Sequence, residues 1–273
     1  MLIVGELINT SRKIVKENVE QRNVQYIRNI ARRQADAGAH YLDISCTDMS
    51  DEREAIGWLV ENIQAVVNIP LCIDTPDPAA MKSGLSMVKN SQPMVNSLNG
   101  EEEHYRMILP LVLKYKTKVI ALCMDDKGIP NTAEDRLQVA KRLIKGLTKS
   151  GIPFDDIYLD PLVKALSTGD IAGLEVLDSI KLIKKEFPDV HIISAISNIS
   201  FGLPNRKMLN RLFLVQTMTT GMDAFIIDPL DEKLMGYLYA SQALLGQDEF
   251  CKNYLSAHRR GIYEVQRFES TKR

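Results

Sequence analysis

Cysteine and histidine are scarce in this sequence, and their scatter argues against the common metal sites. The chain has four cysteines and four histidines in 273 residues, with no CxxC or HxxxH pair. Zinc and iron–sulfur sites take closely spaced ligands, and small secreted domains held by disulfides carry cysteine at higher density. We therefore expect no bound metal, no iron–sulfur cluster and no disulfide framework.

A charge excess of one sign and long apolar runs are also missing. Lys and Arg total 34 against 35 Asp and Glu, a net charge of −1, so no general attraction to nucleic acid or an anionic membrane is expected. No stretch approaches the length of a membrane-spanning helix. The first residues, MLIVGELINTSRK, carry their basic side chains behind a short apolar run, unlike a signal peptide. The expectation is a cytoplasmic, globular protein.

What the chain does contain is an alternation of short apolar runs with longer amphipathic segments. The predicted strands are 2–7, 41–45, 71–74, 93–97, 118–124, 157–160, 190–196 and 223–228. The predicted helices lie near 19–37, 51–68, 77–89, 101–115, 131–150, 171–187, 205–220 and 232–245.

Strand and helix repeated eight times favour an α/β fold of the (β/α)8 TIM-barrel type over an open sheet. The turn after the first strand, Gly5-Glu6-Leu7-Ile8-Asn9, has no GxGxxG pattern of a dinucleotide-binding sheet. We expect one domain over residues 1–273. The barrel occupies about 1–245, and an extra C-terminal helix lies at about 247–262.

Polar side chains recur where the predicted strands end. Each of the eight strands ends near a carboxylate or a carboxamide: Glu6 and Asn9, Asp43, Asp74, Asn96, Asp125, Asp160, Asn198 and Asp228. Such residues are also common helix caps. Barrel enzymes, however, carry their chemistry at the carboxyl ends of the strands, so we expect these side chains to surround one mouth of the barrel.

Carboxylates and amides without metal ligands suit a neutral heterocycle that is rich in N–H donors. A carboxylate accepts two parallel N–H bonds, and an asparagine both donates and accepts. The 2-amino group and N3–H of a pterin form such an edge. A phosphate site near Gly221-Met222-Asp223 and Asn205-Arg206 is a weaker alternative, since no glycine-rich phosphate cradle is present.

An ordered set of short segments resembles the methyltetrahydrofolate–corrinoid protein methyltransferases and the folate domain of cobalamin-dependent methionine synthase. The resemblance covers about residues 1–260. Its segments are Gly5-Glu6 through Asn9, Leu71-Cys72-Ile73-Asp74, Val95-Asn96-Ser97, Tyr158-Leu159-Asp160-Pro161, Ile196-Ser197-Asn198-Ile199-Ser200 and Asn205-Arg206. It implies a methyltransferase that acts between tetrahydrofolate or 5-methyltetrahydrofolate and a corrinoid (cobalamin).

The resemblance also implies roles for individual residues. Asp74, Asn96 and Asp160 would hydrogen-bond the pterin ring. Asn198 would lie close to N5 and act in catalysis, and Arg206 would lie along the pterin site. Asp43 and Ser197 would be neighbours of the ring. Members of the family are typically homodimers, and their corrinoid is carried by a separate protein.

A corrinoid site within this chain is not expected. Asp189-Val190-His191 begins like the DxHxxG loop that supplies a histidine to cobalamin, but Ser194 stands at the position of the glycine. The barrel also uses the chain to about residue 245, which leaves no room for a cobalamin domain. The corrinoid partner is therefore expected to be another polypeptide.

Two segments depart from the family pattern and bear on the subfamily. Leu7 stands where the family often has arginine, and Ser45-Cys46-Thr47 replaces an Asn-Val-Gly-like stretch. The direction of transfer, from methyltetrahydrofolate or from a methylated corrinoid protein, stays open, and these departures favour the second slightly. Two alternative functions stay open. One is a pterin enzyme of the dihydropteroate synthase type, which the sequence disfavours because no GxSTRPG-like loop follows strand two. The other is a folate-binding protein without turnover.

Overall fold

Eight parallel strands close into a barrel in the computed structural model, which describes residues 1–89 and 91–263. Each strand pairs with the next, and the first pairs with the eighth. The strands are β1 (Leu2–Asn9), β2 (Tyr41–Ser45), β3 (Leu71–Asp74), β4 (Met94–Gly100), β5 (Lys118–Asp125), β6 (Ile157–Asp160), β7 (His191–Ala195) and β8 (Ala224–Ile227). The predicted TIM barrel is confirmed.

The barrel interior is filled by one buried cluster to which every strand contributes. Its members are Val4, Tyr41, Cys72, Met94, Ile120, Tyr158, Ile193, Ala224 and Ile226. Because side chains two residues apart share one face of a strand, the residues two positions after this layer face the same interior, nearer the carboxyl ends. Four of them are Glu6, Asp43, Asp74 and Asn96. A second, larger cluster lies between the strands and the surrounding helices.

Helices surround the barrel, most of them one per strand. They are α1 (Lys13–Glu20), α2 (Val24–Asp36), α3 (Glu52–Gln64), α4 (Pro78–Met87), α5 (Glu102–Tyr115), α6 (Ala133–Lys149), α7 (Ala172–Glu186), α8 (Arg206–Thr220), α9 (Glu232–Leu244) and α10 (Lys252–Arg259). Side-chain caps begin several of them: in α6 the Thr132 hydroxyl accepts a hydrogen bond from the Asp135 amide at 3.1 Å.

The first helical segment differs from the prediction. Where the sequence predicts a single helix near 19–37, the structure has α1 and α2, separated by Gln21-Arg22-Asn23. Arg22 adopts φ +52°, which ends the first helix. Asn23 then caps α2, because its Oδ1 accepts from the Tyr26 amide at 3.2 Å.

The extra C-terminal helix is present as α10, and it is shorter than the predicted 247–262 because Glu249–Cys251 form a 3₁₀ turn. Ala257 of α10 is fully buried against the body of the protein. The predicted domain extends to residue 273, and residues 264–273 lie outside the described part of the chain. Within the described ranges, no helix combines the length and apolar character needed to cross a membrane.

Candidate active site

A cavity of about 230 Å³ opens among the carboxyl ends of the strands, and it contains most of the residues predicted from sequence. It is lined by Glu6, Asn9, Ser11, Arg12, Asp43, Asp74, Asn96, Ala195, Ser197, Asn198 and Ile226. Five of the predicted site residues are in this lining: Asp43, Asp74, Asn96, Ser197 and Asn198. The structure thus brings together residues from β1 to β4 and from the segment after β7.

The carboxyl groups of Asp43 and Asp74 and the amide of Asn96 form the floor of this cavity; Asp43 is buried, and Asp74 and Asn96 are partly buried. Asn96 Nδ2 donates a hydrogen bond to Asp43 Oδ1 at 3.2 Å. Burial, together with the charge of Asp74, raises the pKa of Asp43 well above its usual value. Burial also raises the pKa of Asp74 to about 6, against the lowering effect of a hydrogen bond from Ser45. With a pKa of about 6, Asp74 can exchange a proton near neutral pH, so this floor can accept hydrogen bonds from a ligand or donate them.

Glu6 is a further residue of the site, which the sequence placed at a strand end without assigning it a role. Its Oε1 accepts from Arg12 Nη2 at 3.1 Å, and its side chain is 16% exposed. Burial raises the pKa of Glu6 to about 7; Asp228 raises it too, while Arg12, Arg206 and a hydrogen bond from Ser197 oppose the rise. The signal in the sequence was its spacing, two residues after the buried Val4. A carboxyl group with this pKa can exchange a proton at neutral pH.

The segment after β7 supplies the opposite wall. β7 ends at Ala195, one residue before the predicted end, and Ile196–Ser200 form a 3₁₀ helix that carries Ser197 and Asn198. Asn198 is exposed. Arg206, the first residue of α8, donates from Nη2 to the Ser197 carbonyl at 2.8 Å and from Nε to Ser200 Oγ at 3.1 Å. Arg206 therefore holds the 3₁₀ helix in place.

A second cavity of about 270 Å³ adjoins the first and shares Glu6, Arg12 and Ser197 with it. Arg206 and Asp228 line this second cavity. Asp228 Oδ1 accepts from the Leu230 amide at 2.8 Å. Glu6 and its partner Arg12 thus lie between the two cavities.

Asp160 and Asp125 depart from the predicted ring of polar residues, since neither lines these two cavities. Asp160 Oδ1 accepts from Ser194 Oγ at 2.5 Å and from the Leu162 amide at 2.7 Å. Burial raises the pKa of Asp160 to about 6. Asp125 is paired with Arg142 and accepts from the Lys127 amide at 3.0 Å. The side chains of Asp160 and Asp125 are thus held by other residues beside the two cavities.

Among residues 1–89 and 91–263, no group of three or more His, Cys, Asp or Glu side chains is arranged to hold a metal ion.

Comparison with known families agrees with the geometry of this site. A family model described as pterin binding enzyme matches residues 5–228, which include all the predicted site residues. The chain belongs to the family of pterin-binding enzymes.

Two relatives with similar sequences are, by name, a methyltransferase and a methionine synthase. The methylcorrinoid:tetrahydrofolate methyltransferase of Eubacterium limosum is 38% identical over 264 residues, which are 96% of this chain and 97% of that protein. The methionine synthase of Mycobacterium tuberculosis (strain ATCC 25618 / H37Rv) is 30% identical over 242 residues. That match covers 83% of this chain and 20% of the methionine synthase.

Solved structures of dihydropteroate synthases share the fold of this pterin-binding enzyme. The enzyme from Xanthomonas albilineans in complex with 7,8-dihydropteroate has a TM-score of 0.65 and 16% identity, covering 89% of this chain and 92% of that chain. The Yersinia pestis enzyme has a TM-score of 0.66 and 15% identity, covering 90% and 93%. At such identities the likeness shows the fold alone.

Proposed function

We propose that this protein transfers a methyl group between the cobalt of a corrinoid, carried by a separate protein, and N5 of tetrahydrofolate. The observation that carries the proposal is the 38% identity to the Eubacterium limosum methyltransferase over nearly the whole of both chains. The cavity supports it, because it offers carboxyl and carboxamide groups to a heterocycle. The likeness to dihydropteroate synthases adds nothing beyond the fold.

The pterin ring binds on the floor of the 230 Å³ cavity. Asp74 and Asn96 contact the ring, and Asp43 supports Asn96 through their hydrogen bond. Asp160 remains a predicted pterin ligand through Oδ2, since Oδ1 already accepts two hydrogen bonds. Arg206 and Ser197 lie along the edge of the ring nearest the second cavity.

The proton on N5 has to move during the reaction. When the N5 lone pair takes the methyl group, the Co–C bond electrons stay on cobalt, and N5 loses its proton. The Glu6 carboxylate accepts that proton, directly or through a water molecule, and returns it in the reverse reaction. Asn198 hydrogen-bonds N5, since a carboxamide does not titrate near neutral pH but can orient a nitrogen. The placement of both residues at one cavity supports this division of roles.

The proposed direction of transfer follows the name of the Eubacterium limosum relative. That name has a methylcorrinoid as donor and tetrahydrofolate as acceptor, so we propose the same direction here. In this proposal the corrinoid is carried by another polypeptide, since the name of that relative treats the methylcorrinoid as a donor on which the methyltransferase acts. Cys46, Cys72, Cys123 and Cys251 are free thiols, which is typical of a reducing compartment and supports action in the cytoplasm.

A homodimer is part of the proposal. Exposed apolar side chains lie on two neighbouring helices: Ile171 and Leu174 at the start of α7, and Met208 and Leu212 on α8, each more than half exposed. A groove of about 270 Å³ between these helices is lined largely by leucines. Apolar patches of this kind mark association surfaces, and a second copy of the chain would cover this one.

The test is anaerobic visible spectroscopy of the purified protein with methylcobalamin and tetrahydrofolate. The expected result is loss of the methylcobalamin band and growth of a cob(I)alamin band, with 5-methyltetrahydrofolate formed in equal amount. If calorimetry shows folate binding but no methyl group is transferred, either from methylcobalamin or from a methylated corrinoid protein of the same source, the protein is a folate-binding protein without turnover. Absence of folate binding would overturn the proposal.

A further inference from the structure

A fully buried glutamine lies on the barrel-facing side of α2. The buried residues of this helix are Ile27, Ala31 and Gln34, at the spacing of one apolar face. Gln34 is 0% exposed. A buried amide is costly unless it is hydrogen-bonded. Among the described residues the Gln34 Nε2 has no hydrogen-bond partner, whereas its Oε1 has one.

The partner is a backbone amide of β1. Gln34 Oε1 accepts a hydrogen bond from Leu7 N at 3.0 Å. At this point the pairing of β1 with β2 shifts: Gly5 pairs with Leu42 and Ile8 with Ile44, so β1 has one residue more than β2. This is a β-bulge, in which an extra residue loses its place in the ladder. The glutamine thus accepts a backbone N–H within the bulge.

Gly5 gives the glutamine room to reach the strand. A Cβ placed on Gly5 would lie 2.5 Å from Gln34 Oε1 and 3.2 Å from its Cδ. Real Cβ atoms do not approach another atom as closely as 2.5 Å. The side-chain amide of Gln34 cannot move away without losing the hydrogen bond that its oxygen accepts from Leu7. Gly5 and Gln34 therefore fit each other. Gly5 precedes Glu6 in the sequence, and Gln34 binds the amide of Leu7, which follows Glu6.

We propose that Gln34 is a positioning residue, which holds the β1 bulge and thereby sets the place of the Glu6 carboxylate between the two cavities. Glu6 lies inside the bulge, between Gly5 and Leu7, and lines both cavities. The effect of Gln34 on catalysis rests on the proposed role of Glu6; its effect on the position of Glu6 does not.

The surroundings of Glu6 make it sensitive to small displacements. The charged and hydrogen-bonding groups that act on Glu6 come from four places: Arg12 before α1, Asp228 after β8, Arg206 on α8 and Ser197 in the 3₁₀ helix. The charge of Glu6 in turn raises the pKa of Asp43 on β2. Burial has the largest effect on its pKa. A bulge that relaxes toward the cavity mouth would expose Glu6 and lower its pKa toward the ordinary value of 4.5.

The test uses two variants that disrupt the contact between Gln34 and the β1 bulge, one on α2 and one on β1, and one matched control. Gln34→Met keeps the length of the side chain but removes the acceptor of the Leu7 amide. Gly5→Ala keeps the glutamine but displaces it. Gly84→Ala is the control, because its Cβ would lie 2.6 Å from Ile56 Cγ2, between α4 and α3 and away from Glu6. All three variants should lower the melting temperature.

The deciding readout is the titration of Glu6 by carbon-13 NMR, assigned with Glu6→Gln. Gln34→Met and Gly5→Ala should lower the pKa of Glu6, whereas Gly84→Ala should leave it unchanged. If the two variants lose stability and the Glu6 titration stays as in the wild type, Gln34 has a structural role and the proposal is wrong. This readout needs no turnover, so it stands even if the protein transfers no methyl group.

Kinetics give the second readout if methyl transfer is observed. Both variants should lower kcat by about 10- to 100-fold, the size expected when a catalytic group is misplaced by about 1 Å. The KM for tetrahydrofolate should change little, because Asp74 and Asn96 are untouched. An equal loss in the Gly84→Ala control would contradict the assignment.

Discussion

Asn198 is exposed, and it lines the cavity at the carboxyl ends of the strands. It accordingly contributes little to the core. We expect Asn198→Ala to lower kcat by about 10²- to 10³-fold, the usual effect of removing a hydrogen-bond donor from a developing charge. The melting temperature should stay within the error of the measurement. Normal turnover in this variant would remove Asn198 from the catalytic assignment.

Asp74 is a binding residue in the proposal, and its replacement should have the opposite kinetic signature. Asp74→Asn keeps the shape of the side chain and removes its ability to accept two N–H bonds while charged. Tetrahydrofolate affinity should fall by about 10- to 100-fold, as for loss of a hydrogen bond to a charged group. Calorimetry measures this directly. Asp77→Asn, at the N-cap of α4 and outside the cavity lining, is a control that should leave affinity unchanged.

Glu6 links activity to pH with a definite sign. With a pKa raised to about 7, the carboxylate needed to accept the N5 proton is lost as pH falls below this value. Transfer to tetrahydrofolate should therefore rise with pH through the neutral range, and Glu6→Gln should remove that dependence. A single-turnover pH profile, in which chemistry is observed alone, is the measurement.

The same residue affects stability in the opposite direction. Because the folded state holds the Glu6 proton more tightly than the unfolded chain, unfolding releases it, and stability falls as pH rises from about 4.5 to about 7. Above that range the cost of the buried charge is up to about 3 kcal/mol. Glu6→Gln should therefore be more stable than the wild type at about pH 8 and lose that advantage near pH 5. Urea unfolding at the two pH values tests this.

At the scale of the element, the break between α1 and α2 depends on one cap. Asn23 Oδ1 accepts from the Tyr26 amide. Asn23→Ala should lower the free energy of unfolding by about 1 kcal/mol, and Asn23→Asp should retain most of the stability. Chemical denaturation of the wild type, Asn23→Ala and Asn23→Asp measures these differences. If Asn23→Ala is as stable as the wild type, the cap contributes nothing to stability.

The strands could be predicted closely from the sequence, whereas this break could not. Every strand is an apolar run bounded by polar or turn residues, and the pattern alone places β2, β3 and β6 at their observed bounds. Gln21-Arg22-Asn23 contains neither glycine nor proline, so nothing local marks the end of α1. Arg22, which has the positive φ, contacts Glu54 and Trp58 of α3, and these contacts are not visible in the local sequence.

The site was predictable to the extent that it depends on the alternation of side chains along strands. This explains the correct grouping of Asp43, Asp74 and Asn96. The exceptions depend on partners distant in sequence: Arg142 binds Asp125, and Ser194 binds Asp160. The raised pKa of Glu6 and its support by Gln34 likewise arise from contacts between elements, which a strand pattern does not contain.

At the scale of the whole molecule, the prediction concerns association. Leu174→Glu together with Leu212→Glu places charges in the groove between α7 and α8 and should convert a dimer into a monomer, measured by sedimentation equilibrium. Leu244→Glu is the control: Leu244 is 87% exposed, at the end of α9 and outside this groove. If the wild type is a monomer, the proposed dimer does not exist. If the double variant is still a dimer, the interface lies elsewhere.

The hydrogen bond from Leu7 to Gln34 also gives the barrel an unusual probe of local opening. Amides in the closed ladder exchange with deuterium only when strands separate, but the Leu7 amide is protected by a side chain of α2. It should exchange whenever α2 lifts from the barrel, while its neighbours in β1 stay protected. The exchange rate of this one amide thus measures how often the outer layer of the fold detaches from the inner one.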